Sequence, residues 1–188
     1  MIRFFDFILS FLGLTILSPI FFMLLIIGLF ENGSPLFKQY RVGRNQKPFI
    51  LIKFRTMRKE TKSVATHLIN PLMITPFGKF LRYTKLDEIP QLYNVLIGNM
   101  SLVGPRPCLS NQKKLITERK KNGVFKVRPG ITGLAQVKGL RGETKSSLAM
   151  EHRVRLDTLY IENWSLILDV KIIVLTIINV FKGDEKAY

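Results

Sequence analysis

The chain has 188 residues, with 29 Lys+Arg against 13 Asp+Glu, a formal net charge of +16 and 47% hydrophobic residues. That length fits one domain able to bury its own core, and the charge calls for an anionic partner: a phospholipid surface, a phosphorylated substrate or nucleic acid. A lone cysteine, Cys108, excludes an intramolecular disulfide; with only His67 and His152 beside it, no zinc site of the usual ligand set is available, and no Walker A or dinucleotide glycine pattern occurs.

Phe7 to Phe30 carries no charged residue over 24 positions, which reads as a membrane segment. Arg3 is offset by Asp6 and no small-residue cleavage site follows, so the segment is not expected to be a cleaved signal. As a straight helix it would measure about 36 Å, enough to span a bilayer. Ser18-Pro19 at its middle offers a second geometry. Proline removes a backbone donor and clashes with the preceding turn, giving two arms of about 11 residues that enter and leave by one face. Ser18 would then satisfy a carbonyl freed at the break. Lys38, Arg41, Arg44 and Lys47 mark the C-terminal flank as cytoplasmic and Arg3 weakly marks the other flank likewise, which leaves both geometries open.

Leu36 to Tyr40 and Phe49 to Phe54 are strand-like runs joined by a Gly- and Pro-containing turn, a small β-hairpin. Residues 58–70 read as an exposed loop or short helix, and 71–80 lead into an acid pair. Residues 110–122 predict a lysine-rich surface helix, 126–138 an ordered loop and 145–163 a helix. Residues 164–181 are apolar but interrupted by Asp169 and Lys171. Two central charges are costly in a span, so this segment predicts an amphipathic helix lying on the membrane with Trp164 at the interface.

Asp87-Glu88 places two carboxylates at the start of a helix that Thr84 or Asp87 would cap, with Pro90 in its first turn, where the ionised form is favoured. An ordinary capping pair is the plain alternative, and the basic company of Arg82, Lys85 and Arg106 weighs against it. Gly104-Pro105-Arg106-Pro107 holds an arginine on a stiff backbone, preorganised for bidentate phosphate binding unless the turn is purely structural. In Arg128-Pro129-Gly130-Ile131-Thr132-Gly133 the glycines permit close backbone approach to a ligand, with Arg128 in reach of a second phosphate. Lys53-Phe54-Arg55-Thr56-Met57 is either membrane-facing charge or pocket wall.

Taken together, Ser18-Pro19, Lys53 to Met57, Leu86-Asp87-Glu88 through Leu96, Gly98 to Pro107, Arg128 to Gly133 with Ala135-Gln136-Val137, and Asp157 through Tyr160 resemble the bacterial sugar transferase family, the monotopic phosphoglycosyl transferases. The resemblance runs over nearly the whole chain in family order. Leu134 departs from it, standing where the family pattern leads us to expect tryptophan. The resemblance implies a mostly helical α+β domain over residues 1–188. Residues 1–31 would form a re-entrant membrane helix, and 32–188 a catalytic part whose interfacial amphipathic helices surround a site at the cytoplasmic face of the bacterial inner membrane. It implies a minimal catalytic form, without the extra membrane-spanning domain of larger relatives. Asp87 would attack the β-phosphorus of a UDP-sugar, releasing UMP, and undecaprenyl or another polyprenyl phosphate would collect the sugar phosphate. Glu88 would assist by metal or proton handling, and Mg²⁺ is expected on Asp87 and Glu88. Arg82, Arg106, Arg128 and Lys53 are the expected substrate-binding cations, with Asp157 and Tyr160 as further pocket residues. Inner-membrane phospholipid is an expected partner, nucleic acid is not, and a homodimer is left open. The rivals are a membrane-anchored nucleic-acid binder and a non-catalytic scaffold of the same fold; scattered basic residues without a nucleic-acid motif count against the first.

Overall fold

The computed structural model describes residues 2–59, 73–140 and 146–182. Residues 60–70 of the expected loop, His67 among them, lie outside the described residues.

Helix α1, Ile2–Asn32, contains Pro19. Pro19 has no N–H to give the Thr15 carbonyl, and the Ser18 hydroxyl donates to that oxygen instead, at 2.8 Å. One stripe of α1 packs inward along its length: Asp6, Ser10, Leu24 and Gly28 are buried, and Leu17 and Phe21 are partly so. Both ends of the helix are tied to one body. Near its start, Asp6 Oδ1 accepts from Ser101 Oγ and from the Leu102 amide, each at 3.0 Å, and the Arg3 guanidinium donates to the Val95 and Leu96 carbonyls. Near its end, Thr75 Oγ1 donates to Glu31 Oε2 at 3.0 Å. The opposite face shows Phe4, Ile16, Phe22 and Phe30 to the outside.

The hairpin forms as expected and is slightly longer. Strands β1 (Leu36–Val42) and β2 (Pro48–Phe54) pair antiparallel from Leu36↔Phe54 to Val42↔Pro48. Asn45 and Gln46 close the turn in the left-handed region. Helix α2, Pro76–Thr84, is capped by Thr75, whose hydroxyl accepts from the Gly78 amide, with Pro76 opening the first turn. It stops where Lys85 turns left-handed, and a 3₁₀ turn, Leu86–Glu88, precedes α3, Gln91–Leu96. The expected cap of that last helix does not exist. Pro90 occupies the cap position without a side-chain bond, and Thr84 donates back to the Phe80 carbonyl at 2.8 Å. Asn94 joins α3 to the hairpin, accepting from the Ile52 amide and donating to the Ile50 carbonyl.

Residues 126–138, expected as a loop, contain a strand. β3 (Ser101–Val103) and β4 (Gly130–Thr132) pair parallel. Gly130 is required by backbone rather than by a ligand: a Cβ there would lie 2.1 Å from the Gly104 amide nitrogen. Helix α4 (Lys113–Lys121), the short α5 (Leu134–Val137), α6 (Ser147–Glu162) and α7 (Leu166–Phe181) complete the described residues. Leu134, the departure from the family pattern, packs into the cluster of Val103, Tyr160 and Ile172.

Helix α7 turns Asp169, Thr176 and Asn179 toward the protein, while Lys171 is exposed. Asp169 accepts from Tyr160 Oη at 2.8 Å and from Trp164 Nε1 at 2.9 Å, Thr176 bonds Thr132, and Asn179 donates to the Val137 carbonyl. Its outer face carries Ile167, Val170, Val174 and Phe181. Like α1, it inverts the polarity of a helix on a water-soluble protein. The result is a mostly helical α+β chain with two small sheets.

Candidate active site

A core of Leu24, Phe54, Leu81 and Ile89, with Leu86 packed on it, welds α1 to β2, α2 and the 3₁₀ turn. Leu86 and Ile89 thus anchor the turn from both sides, and the two residues between them, Asp87 and Glu88, are presented on its other side. Lys53 reaches them from β2: its Nζ lies 2.8 Å from Glu88 Oε1 and 3.8 Å from Asp87 Oδ2. Arg106, from the Gly-Pro-Arg-Pro turn, places Nη2 3.0 Å from the same Glu88 oxygen. Arg82, in the last turn of α2, is held by the Thr56 hydroxyl at 2.9 Å and feels the charge of Asp87. Five of the expected residues, Lys53, Arg82, Asp87, Glu88 and Arg106, therefore form one cluster.

The two carboxylates differ in kind. Burial pushes the Asp87 carboxyl above its usual range; Lys53 opposes that shift, Glu88 adds to it, and Arg82 and Arg106 oppose it further. Burial would raise Glu88 too, but Lys53 and Arg106 overcome it by charge and by hydrogen bonds, holding Glu88 well below the carboxylate range. Glu88 in turn raises Arg106, which stays fully protonated. Glu88 is thus ionised with its Oε1 shared by Lys53 and Arg106, while Asp87 keeps lone pairs facing a ring of cations.

Arg106 is itself braced from behind. Arg119, only 2% exposed, donates Nη1 to the Arg106 carbonyl at 2.7 Å and Nη2 to Asp157 Oδ2 at 2.6 Å. Asp157 reaches the site through that arginine rather than by lining it. Arg119 escapes a first reading because it sits among Lys113, Lys114, Lys120 and Lys121 and looks like solvated charge. Its spacing of four from Leu115, which puts both on one helix face, is the signal that finds it.

Two expected pocket residues lie elsewhere. Tyr160 Oη is committed to Asp169, with the Val103 carbonyl at 3.3 Å, and holds α7 to the sheet. Arg128 donates Nε to the Gly98 carbonyl at 2.9 Å, beyond the far end of α3 from the acid pair.

Among the described residues no group of three His, Cys, Asp or Glu side chains gathers as for a metal cage. Magnesium, however, commonly takes one or two carboxylates and completes its shell with substrate phosphates and water. Asp87, which makes no hydrogen bond among the described residues, fits that donor set. Glu88 has its Oε1 taken by Lys53 and Arg106, which leaves Oε2 as its atom for a second contact.

Comparison with known proteins matches this arrangement to a family. Residues 1–183 fit the family described as bacterial sugar transferase. Over 97% of its length the chain is 43% identical to a UDP-glucose:undecaprenyl-phosphate glucose-1-phosphate transferase of Klebsiella pneumoniae, and 42% identical to the protein of that description in Escherichia coli (strain K12). It spans 40% of the length of each. It is 40% identical to the sugar transferase EpsL of Bacillus subtilis (strain 168), covering 88% of that protein. With a family match over nearly its whole length, the chain belongs to the bacterial sugar transferases.

Proposed function

We propose that this protein transfers a sugar-1-phosphate from a UDP-sugar to undecaprenyl phosphate, releasing UMP, through a phosphosugar-aspartyl intermediate on Asp87. The observation that carries the reading is the division of labour in the acid pair: a buried carboxylate with open lone pairs, beside a second one neutralised by Lys53 and Arg106. In the first step an Asp87 oxygen attacks the β-phosphorus, the bond from that phosphorus to the bridging oxygen breaks, and UMP leaves with the electron pair. In the second, an oxygen of the polyprenyl phosphate attacks the same phosphorus and the carboxylate is regenerated. Both nucleophiles act as anions, so no general base is needed.

Glu88, held low by Lys53 and Arg106, serves in this reading to fix those two cations around the phosphorus. Those cations and Arg82 stabilise charge gathering on the phosphoryl oxygens. Magnesium, held through Asp87 and the diphosphate, would add Lewis-acid screening of the phosphates.

Membrane placement follows the same reading. We take α1 as re-entrant and the site as lying at the cytoplasmic leaflet. Support comes from the attachment of both helix ends, Arg3 and Asp6 at one and Glu31 at the other, to one body, and from the outward apolar faces of α1 and α7. The product would start a cell-surface glycan; capsule, exopolysaccharide, O-antigen and glycoprotein pathways all begin with such a lipid-linked sugar.

The test is UMP release from a panel of UDP-sugars with undecaprenyl phosphate and Mg²⁺. Wild-type release should fall at least about a thousandfold in Asp87→Asn, as expected for loss of a covalent nucleophile. Undiminished release in that variant would remove Asp87 from the mechanism.

A further inference from the structure

The hairpin brings an unassigned cation to the edge of the site. Paired positions of β1 and β2 share a face, and Phe37↔Lys53, Gln39↔Leu51 and Arg41↔Phe49 put Arg41 on the face that carries Lys53 toward the acid pair. Arg41 leans on the Pro-Arg-Pro turn, its Nη1 3.3 Å from the Pro107 carbonyl, and its Nη2 is steered by Gln39 Oε1 at 2.6 Å. Both acceptors are neutral, and its buried Nε has no partner. Behind the turn Arg119 is matched by Asp157. In front of it, Lys53, Arg82, Arg106 and Arg41 face, among the described residues, only Asp87 and Glu88, four positive charges against two negative. A half-buried guanidinium without a carboxylate is an unfavourable arrangement in the absence of an anion.

We infer that Arg41, oriented by Gln39, is a binding residue for a phosphate of the nucleotide-sugar donor, forming with Arg106 a fork on which the diphosphate lies. The assignment rests on the donor proposed above and names which side of the site holds it. Two surplus positive charges match the charge of a nucleoside diphosphate-sugar. A guanidinium fork is the group that grips a phosphate at two oxygens. Burial first, and then the Arg106 charge, bring Arg41 down to about 10 in the ligand-free state.

The experiment uses the full chain in lipid nanodiscs, with UDP-glucose, UDP and inorganic pyrophosphate as probes and no polyprenyl phosphate. Arg41→Gln should weaken UDP and pyrophosphate roughly tenfold to a hundredfold, the span of one charge-assisted hydrogen-bonding group. Its ligand-free melting temperature should hold or rise, because a like charge is removed. Arg41→Lys should recover part of the affinity. Lys113→Gln, the same charge loss on α4, should change neither. Unchanged affinity in Arg41→Gln, or a lower melting temperature with affinity intact, overturns the assignment and leaves Arg41 a brace for the turn. Pyrophosphate binding that needs Arg41, with no turnover of any UDP-sugar, would keep the phosphate fork and defeat the proposed reaction. Failure of wild type to bind any of the three probes would defeat both.

Discussion

At the scale of single residues, the site works by giving two neighbouring carboxylates opposite environments. In the proposed reaction Asp87 must be ionised to attack, and its carboxyl sits above the usual range because it is buried, with Lys53 pulling it back. The acid limb of the pH–rate profile should therefore report Asp87. Lys53→Met removes the pull and should move that limb to higher pH. Glu88→Gln removes a like charge and frees Lys53 and Arg106, and should move it to lower pH. Equal displacement in both variants would refute this electrostatic account. For stability the sign differs: Glu88, depressed in the fold, stabilises it above the unfolded carboxylate pKa, and that contribution is lost as pH falls below it. Much of this cluster was legible in the residues themselves, since the acid pair, Lys53, Arg82 and Arg106 all converge. What the sequence concealed was commitment. Tyr160 has the right chemistry for a pocket, but its hydroxyl is taken by Asp169, and Arg128 commits its Nε to the Gly98 carbonyl.

Among the elements, α4 and α6 matter to the site through one buried ion pair. Asp157→Asn leaves Arg119 charged and only 2% exposed without its carboxylate, and should cost about 3–5 kcal/mol of unfolding free energy. Arg119→Met with Asp157→Leu removes both charges and should recover most of that stability, while UMP release stays low because the Arg106 carbonyl has lost its brace. Chemical denaturation and turnover on the same preparations separate the two effects. The hairpin and helices α1, α4, α6 and α7 were readable from period and turn residues, including the Ser18 bond to the Thr15 carbonyl, whereas α2 and α5 were not expected as helices. The β3–β4 pair was not, because three-residue strands hold too few side chains to show a period. The cap expected from Thr84 or Asp87 failed for a local reason: the left-handed turn at Lys85 starts a 3₁₀ turn, and the new helix begins only at Pro90.

For the whole molecule, the outer surface is apolar on α1 and α7 and the charge is strongly positive, which suits an anionic bilayer surface. Cysteines introduced at Ile2 and at Asn32 should be reached by a membrane-impermeant thiol reagent from the same side of sealed vesicles. The native Cys108, being buried, should stay silent. Labelling from opposite sides would require a straight span and would be incompatible with the attachments described for the two ends. Sequence alone left re-entry and spanning open, because a central proline is common to both; the long-range bonds of Arg3 and Asp6 support the re-entrant reading proposed above.

Those same bonds impose an order on biosynthesis. The partners of Asp6, Ser101 and the Leu102 amide, lie 95 and 96 positions further along the chain. At ribosomal rates of about 5–20 residues per second, the apolar N-terminus waits roughly 5–20 seconds before its clasp exists. During that interval α1 has only the lipid and the earlier contacts of its second half, with Phe54, Thr75 and Leu81, to direct it. The orientation of the first helix must therefore stay correctable until the second half of the chain arrives to lock it.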